Sequence, residues 1–456
     1  MTPQVEFEFV GHIDCRVGFL PIGRKRGGFN PEWGREMEDA ALKAVESLAV
    51  DVVRPSKPVV DDPTLRGAVA EMKTENCDTL LVLQPTMGDG RLAPVLAQLW
   101  NEAVVFWATP EKQDDPRVSS CSLTGAHDFG AIFRQFDHPF ELVNGHPEDE
   151  ETRSQVLQAL RVSAAAAKLH ESTIGLVGGP APGFVDMHAD PAAMSRQLGV
   201  GLVQMGLREL HAAMDNVDES NVAEDAEVVK SWGLPMEDGL EPDDVRVNSQ
   251  YYLALKGMME QRSLDALAVR CWPELPNEYG EWPYLAMARL LDEGQVVSLE
   301  GDTDAAIGCL LTQWCGMGPT FIADWLEHDD ETITFWHPGQ TPPSMCAPDS
   351  LSLGMHFNIN KPLVLNGRLF DGEPVTVYRI WRCDGEYRIA AAEGRSVSPR
   401  RELLGADITV DLEGVDPGES LEYLYHAGMP HHMGILYGYH CDAFDRLARQ
   451  LDISWA

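Results

Sequence analysis

Three short apolar runs between residues 295 and 337 each stop beside a side chain that can hold a metal or move a proton. Val296-Val297-Ser298-Leu299 is followed by Glu300, Pro319-Thr320-Phe321-Ile322-Ala323 by Asp324, and Thr332-Ile333-Thr334-Phe335-Trp336 by His337. Between Glu300 and Asp324, helical spacing places Ile307, Leu310, Leu311 and Trp314 on one side, so the stretch reads strand, helix, strand. In a βαβ unit two adjacent parallel strands lie ~4.8 Å apart. Both carboxylates would then sit at the carboxyl edge, where open α/β sheets bind ligands, and could reach one ion. Carboxylates that close repel unless a cation or a shared proton intervenes. Oxygen and imidazole donors suit manganese or magnesium better than a thiolate-seeking metal. A third ligand is sought among His426, His431, His432 and His440, which crowd the segment HAGMPHHMGILYGYH.

Other segments are candidates for the walls of such a site. GRKRGG, residues 23–28, is a basic glycine-rich loop after a strand, and its Arg24, Lys25 and Arg26 could read an anionic ligand. CWPELPNEYGEWP follows another apolar run and offers Trp272, Glu274, Glu281 and Trp282. GGPAPGF, residues 178–184, matches neither phosphate-binding glycine pattern, and no nucleotide is assigned to it.

The elements that must position these residues alternate in type. Val17 to Ile22, Thr79 to Leu83 and Val104 to Trp107 read as strands, and Trp33 to Leu48 and Arg91 to Asn101 as helices, which implies parallel βαβ units. The alternation restarts after an alanine-rich helix near 156–169 and continues through a second α/β block. Past residue 345 the period becomes two, with a hairpin turn expected at Asp384-Gly385. The expected fold class is α/β in three parts: an N-terminal α/β domain over 1–171, a second α/β domain with the carboxylates over 172–345, and a β-rich domain with the histidine over 346–456.

Composition narrows the partners. The 456 residues carry 72 acidic against 35 basic side chains, a net charge of -37, which repels nucleic acid and anionic membranes. Nine cysteines without a C-x-x-C pair argue against a disulfide framework or a thiolate zinc site. With no signal-peptide pattern in MTPQVEFEFVGH and no membrane-length apolar run, a cytoplasmic location is expected.

The residues also resemble a known family, the L-fucose and L-arabinose isomerases. VVSLEGDTDAAIGCLLTQWCGMGPTFIAD is similar to the fucose isomerase stretch in which a metal-binding glutamate precedes a metal-binding aspartate by the same step. VTVYRIWRCDGEYRIAAAEG and PHHMGILYGYHCDAFDRLARQLDI resemble its C-terminal strand pair and histidine-bearing segment. The resemblance implies two Rossmann-like α/β domains, a C-terminal β-barrel-like domain and a homo-oligomer, trimer or hexamer. It further implies a Mn²⁺-dependent aldose-ketose isomerase, with Mg²⁺ or Co²⁺ as substitutes. Carried over by position, Glu300 and Asp324 are both ligands and acid/base groups, and His432 completes the metal site. His337 sits near where arabinose isomerases have an additional histidine ligand, which fucose isomerases lack; Arg24, Trp272, His337 and His431 are the candidate substrate contacts. The implied substrate is a free L-fucose-like 6-deoxyhexose or aldopentose passing through an ene-diol. The alternatives are a sulfonated or phosphorylated hexose, or a non-catalytic sugar-binding protein.

Overall fold

The structure, a computed structural model, describes residues 15–25 and 27–456, so Arg26 and the MTPQVEFEFVGH segment lie outside the described residues. The chain divides into two compact units: residues 15–170 with 445–452, and residues 171–444 with 453–456.

The first unit is built on five parallel strands, β1 (Arg16–Pro21), β2 (Asp51–Val53), β3 (Thr79–Leu83), β4 (Val104–Ala108) and β5 (Phe140–Asn144), in the order β2-β1-β3-β4-β5. TLLVL and VVFWA are buried at every position because apolar side chains leave both faces of the sheet. Leu80, Val82 and Phe106 pack with Leu65, Leu96 and Phe129 on one side; Leu81, Leu83 and Trp107 pack with Ala41, Val45 and Leu160 on the other. The helix Pro31–Glu46 starts where Asn30 accepts from the Glu32 and Trp33 amides, with proline in its first turn. Asp61 and Thr64 close a reciprocal capping box on the helix Asp62–Thr74.

The second unit holds two sheets. β6 (Thr173–Val177), β7 (Gly201–Met205), β8 (Ala266–Val269) and β9 (Val296–Ser298) form a parallel sheet in the order β7-β6-β8-β9. The larger sheet comprises β10 (Phe321–His328), β11 (Ile333–His337), β12 (Ser352–Gly354), β13 (Val364–Arg368), β14 (Pro374–Cys383), β15 (Glu386–Val397), β16 (Ala406–Leu412), β17 (His432–Tyr437) and β18 (Ser454–Trp455). Its order is β12-β13-β16-β11-β10-β17-β14-β15-β18, and β15 pairs with β16 as well. The β14–β15 hairpin turns at Asp384 and Gly385, with φ of 56° and 78°, the left-handed pair that two-residue hairpin loops favour. The chain is therefore a mixed α/β protein with parallel sheets and a large C-terminal sheet.

The stretch 295–337 departs from its expected geometry. β9 and β10 are not neighbours in one parallel sheet: β9 ends the parallel sheet, and β10 runs antiparallel to β11 and β17 in the large one. The helix between them, Thr303–Trp314, touches β8 and β9 as well as β14 and β17. Contact with both sheets buries every residue of it except Trp314, so an expected one-sided helix is enclosed all round. Asp324 accordingly lies within a strand, and not past the end of one. No helix among the described residues is long and apolar enough to cross a membrane.

Candidate metal centre

Glu300 follows β9 in a left-handed conformation, φ 57°, which costs a non-glycine residue about 1–3 kcal/mol. Gly301 continues the turn at φ 77°, and a Cβ there would lie 2.4 Å from the Gly179 carbonyl oxygen. The Ala181 amide donates to the Glu300 carbonyl at 2.8 Å. The loop GGPAPGF thus packs against and hydrogen-bonds the turn that presents Glu300. At the tip of that side chain, Trp272 Nε1–H donates to Oε1 at 2.6 Å.

His432 opens β17 directly across from Asp324 of β10, so the two side chains leave one face of the sheet together. The imidazole is fully buried, and its Nδ1–H donates to Asp302 Oδ2 at 2.9 Å. Asp302 in turn pairs with the buried Arg379 at 2.9 and 3.0 Å and accepts the Ala305 amide at 2.9 Å, capping the central helix. With the proton on Nδ1, the Nε2 lone pair points outward. It lies 3.1 Å from Glu300 Oε2 and 3.8 Å from Asp324 Oδ1. Despite the first of these distances, Nε2 has no partner of hydrogen-bond geometry. A lone pair and a carboxylate oxygen at that separation repel unless a proton or a cation lies between them.

His431 completes the cluster from the position before His432. Its Nδ1 donates to Asp186 Oδ2 at 2.8 Å, and its ring packs against Phe184. Glu300, His431 and His432 each offer a ligand atom within 4.8 Å of the others. Both histidines therefore have Nδ1 held by a carboxylate, the arrangement that orients metal-bound imidazoles. The buried, unpartnered Nε2 and the oxygen and nitrogen donors fit a divalent ion. His431, expected at the substrate, stands with Glu300 and His432 in that cluster, while Asp324 adjoins His432 without joining it.

The electrostatics separate the two carboxylates. Burial raises the Glu300 pKa, but the charge of the adjacent His432, with smaller contributions from His337 and the Trp272 hydrogen bond, outweighs burial and holds it below its ordinary value. Asp324 is pushed up: burial and the neighbouring Glu300 prevail over His432 and His431. For His432 burial opposes the charge, yet Asp302 and Glu300 move its pKa up to about 10, so without a cation the ring also carries a proton on Nε2 at pH 7, and a divalent ion would take the place of that proton. Burial lowers His337 to about 3 and His356 to about 4, so both rings are neutral at pH 7. His337 packs edge-on to Tyr284 and lies 6.3 Å from His432, ring to ring, with Nδ1 buried and unpartnered. His356 stacks on Trp282 at 4.1 Å.

Among the candidates from sequence, Glu300, Asp324, His431, His432, Trp272 and His337 come together here, while Arg24 belongs to the other unit. Sequence reasoning missed Asp302, Asp186 and Arg379. Asp302 had a legible signal as the residue capping a helix two positions after Glu300. Asp186 and Arg379 had none, since their partners are distant in the chain.

No protein-family model matches the chain. It is 26% identical over 443 residues to the sulfoquinovose isomerase of Priestia aryabhattai, covering 96% of this chain and 98% of that one. Similarity to the sulfoquinovose isomerase of Clostridium sp. (strain MSTE9) is the same in identity and in both coverages, over 452 residues. The L-arabinose isomerase of Thermotoga neapolitana is 23% identical over 314 residues, 64% of this chain and 62% of that one.

Proposed function

We propose that this chain, a sugar aldose-ketose isomerase of the L-fucose/L-arabinose isomerase-like proteins, converts a sulfonated hexose of the sulfoquinovose kind to its ketose in a metal-dependent reaction. The sulfonated substrate is preferred because the relatives matched end to end carry that name, whereas the L-arabinose isomerases match over about two thirds of the chain. The observation that carries the chemistry is His432 Nε2, buried, unpartnered and 3.1 Å from Glu300, with Nδ1 fixed by Asp302.

Isomerising an aldose removes the proton at C2, returns one at C1, and moves a proton between O1 and O2 through an ene-diol. Glu300, His432 and either His431 or Asp324 are the residues that would hold Mn²⁺. When bound, the ion supplies Lewis-acid stabilisation of the developing oxyanion. The two carboxylates divide the proton work. Glu300, held ionised, is suited to take a proton, and Asp324, pushed toward its neutral form, to give one. Trp272 fixes one Glu300 oxygen and leaves the other to act. His337 and His356, neutral at pH 7, can meet sugar hydroxyls without adding charge.

The same resemblance supports a cytoplasmic homo-oligomer, trimer or hexamer, two Rossmann-like sheets and a barrel-like large sheet. The pairing of β15 with both β14 and β16 favours closure of that sheet.

The deciding experiment is ketose formation by chelator-stripped protein with and without Mn²⁺, on sulfoquinovose, L-fucose and L-arabinose. Mn²⁺-dependent turnover of sulfoquinovose, lost in Glu300→Gln, is the expected result. Turnover of only a neutral sugar would establish instead the second reading, which the L-arabinose isomerase similarity favours. Full activity in Glu300→Gln would remove the residue assignment.

A further inference from the structure

The first unit carries a cationic cleft that the metal chemistry leaves unused. It encloses about 640 Å³ and is lined by Arg24, Arg35, Arg54 and Lys57, with Glu38 as its one carboxylate among the described residues. Four cations against one acid is a reversal of the chain's overall balance of 72 acidic to 35 basic residues. Several cations elsewhere in this unit are neutralised locally: Arg16 pairs with Asp51, Arg66 with Asp62, Arg91 with Asp89 and Arg117 with Asp115. Arg24, Arg35, Arg54 and Lys57 have no ion pair to a described residue. Glu38 is the exception to a purely cationic lining; burial raises its pKa and Arg54 lowers it.

The cleft also lies where an open parallel sheet places ligands. Arg24 follows β1, Arg54 follows β2, and Pro85 and Thr86 follow β3, so all three strands deliver their carboxyl ends to it. The order β2-β1-β3 makes this the point at which the chain changes direction across the sheet, and the crevice there is the usual ligand position. Two features hold its shape. The Arg24 guanidinium lies over the Phe29 ring at 4.4 Å, and Gly34 lets the helix Pro31–Glu46 approach Thr86 so closely that a Cβ would lie 2.9 Å from its methyl group. Arginines at this density match the paired oxygens of a tetrahedral oxyanion. The volume exceeds that of a free ion and suits an anion carried on a sugar-sized body.

We infer that this cleft binds a tetrahedral oxyanion, the sulfonate of a sulfosugar, with Arg24 and Arg54 as its principal contacts. The choice of sulfonate over a free phosphate rests on the substrate proposed above; the anion site itself does not.

The test measures binding, not turnover, by calorimetry on the full-length, chelator-stripped protein. The probes are sulfoquinovose, quinovose, which lacks the sulfonate, and inorganic phosphate. Saturable sulfoquinovose binding at least 10-fold tighter than quinovose, and weakened at least 10-fold in Arg24→Gln/Arg54→Gln, supports the sulfosugar. If the double variant loses phosphate but keeps sulfoquinovose, the oxyanion site stands and its occupant is a free anion. The milder pair Arg35→Gln/Lys57→Gln, both exposed residues, repeats the test should the first variant unfold. The inference is overturned if neither sulfoquinovose nor phosphate binds saturably, or if folded variants leave both affinities within twofold of the parent. An anion that binds to a protein with no isomerase activity would refute only the function proposed above.

Discussion

Asp302→Asn separates orientation of His432 from stability of the fold. Oδ1 of Asp302 accepts Arg379 Nη2 and the Ala305 amide, and Oδ2 accepts His432 Nδ1–H and meets Arg379 Nη1 at 2.9 Å. An asparagine has one acceptor oxygen. If that oxygen keeps Arg379 and the helix cap, the amide NH₂ faces His432 Nδ1 and drives the ring to carry its proton on Nε2. The lone pair is then withdrawn from the metal. Loss of such an orienting partner weakens metal binding by about 10- to 100-fold, which is about 1.4–2.7 kcal/mol. Removing half of a buried ion pair also destabilises the fold by about 3–5 kcal/mol, since Arg379 and Asp302 are only 2% and 1% exposed. Arg379→Met supplies the control, because it breaks the same pair but keeps the His432–Asp302 bond. Mn²⁺ affinity by calorimetry and metal-free stability by denaturant titration are measured on both variants. Both are expected to lose stability, and only Asp302→Asn the larger share of metal affinity. Equal losses of affinity, or an Asp302→Asn affinity within twofold of the parent, would refute the orienting role.

Gly301→Ala would set a Cβ 2.4 Å from the Gly179 oxygen at φ 77°, so the Glu300 turn must shift. A stability loss of at least about 1 kcal/mol with weakened Mn²⁺ binding is expected, and unchanged binding would show that the turn does not position Glu300. Trp272→Phe removes the 2.6 Å bond to Glu300 while keeping an aromatic ring against Phe184. The bond holds the Glu300 pKa down, so the acidic limb of the activity profile should move to higher pH, and an unmoved limb would count against this role. Glu281 is 5% exposed and its pKa is raised to about 9, by burial first and then by Asp244 and Asp243. It holds its proton more tightly folded than unfolded, so its stability contribution is complete below about pH 4.5 and is lost as pH rises through 9. Glu281→Gln should remove that slope and gain about 3 kcal/mol at pH 7; denaturant midpoints of both proteins from pH 5 to 9 check it.

Sequence determined the parts of this protein that depend on local pattern. TLLVL and VVFWA announce central parallel strands because burial on both faces demands continuous apolar residues, and Asp384-Gly385 announces its hairpin because few residues accept left-handed backbone. Glu300, Asp324 and the paired histidines were legible as chemistry-bearing types beside strands. How they meet was not. Proximity was expected from neighbouring parallel strands, yet β9 and β10 lie in different sheets, and contact is achieved by the antiparallel pairing of Asp324 with His432. Asp302 reaches His432 across 130 residues of chain, and Arg379 reaches Asp302 across 77. The enclosure of the helix Thr303–Trp314 by two sheets, which buries the Asp302–Arg379 pair at its start, has no periodic signature either. Hydrophobic spacing states which faces must be covered but not by which strand, and strand pairing between distant segments is chosen by the packing of the whole unit. The residue types of the site are therefore a property of the sequence, while the Asp302 contact that holds His432 and the opposite pKa shifts of Glu300 and Asp324 exist only once those segments have packed.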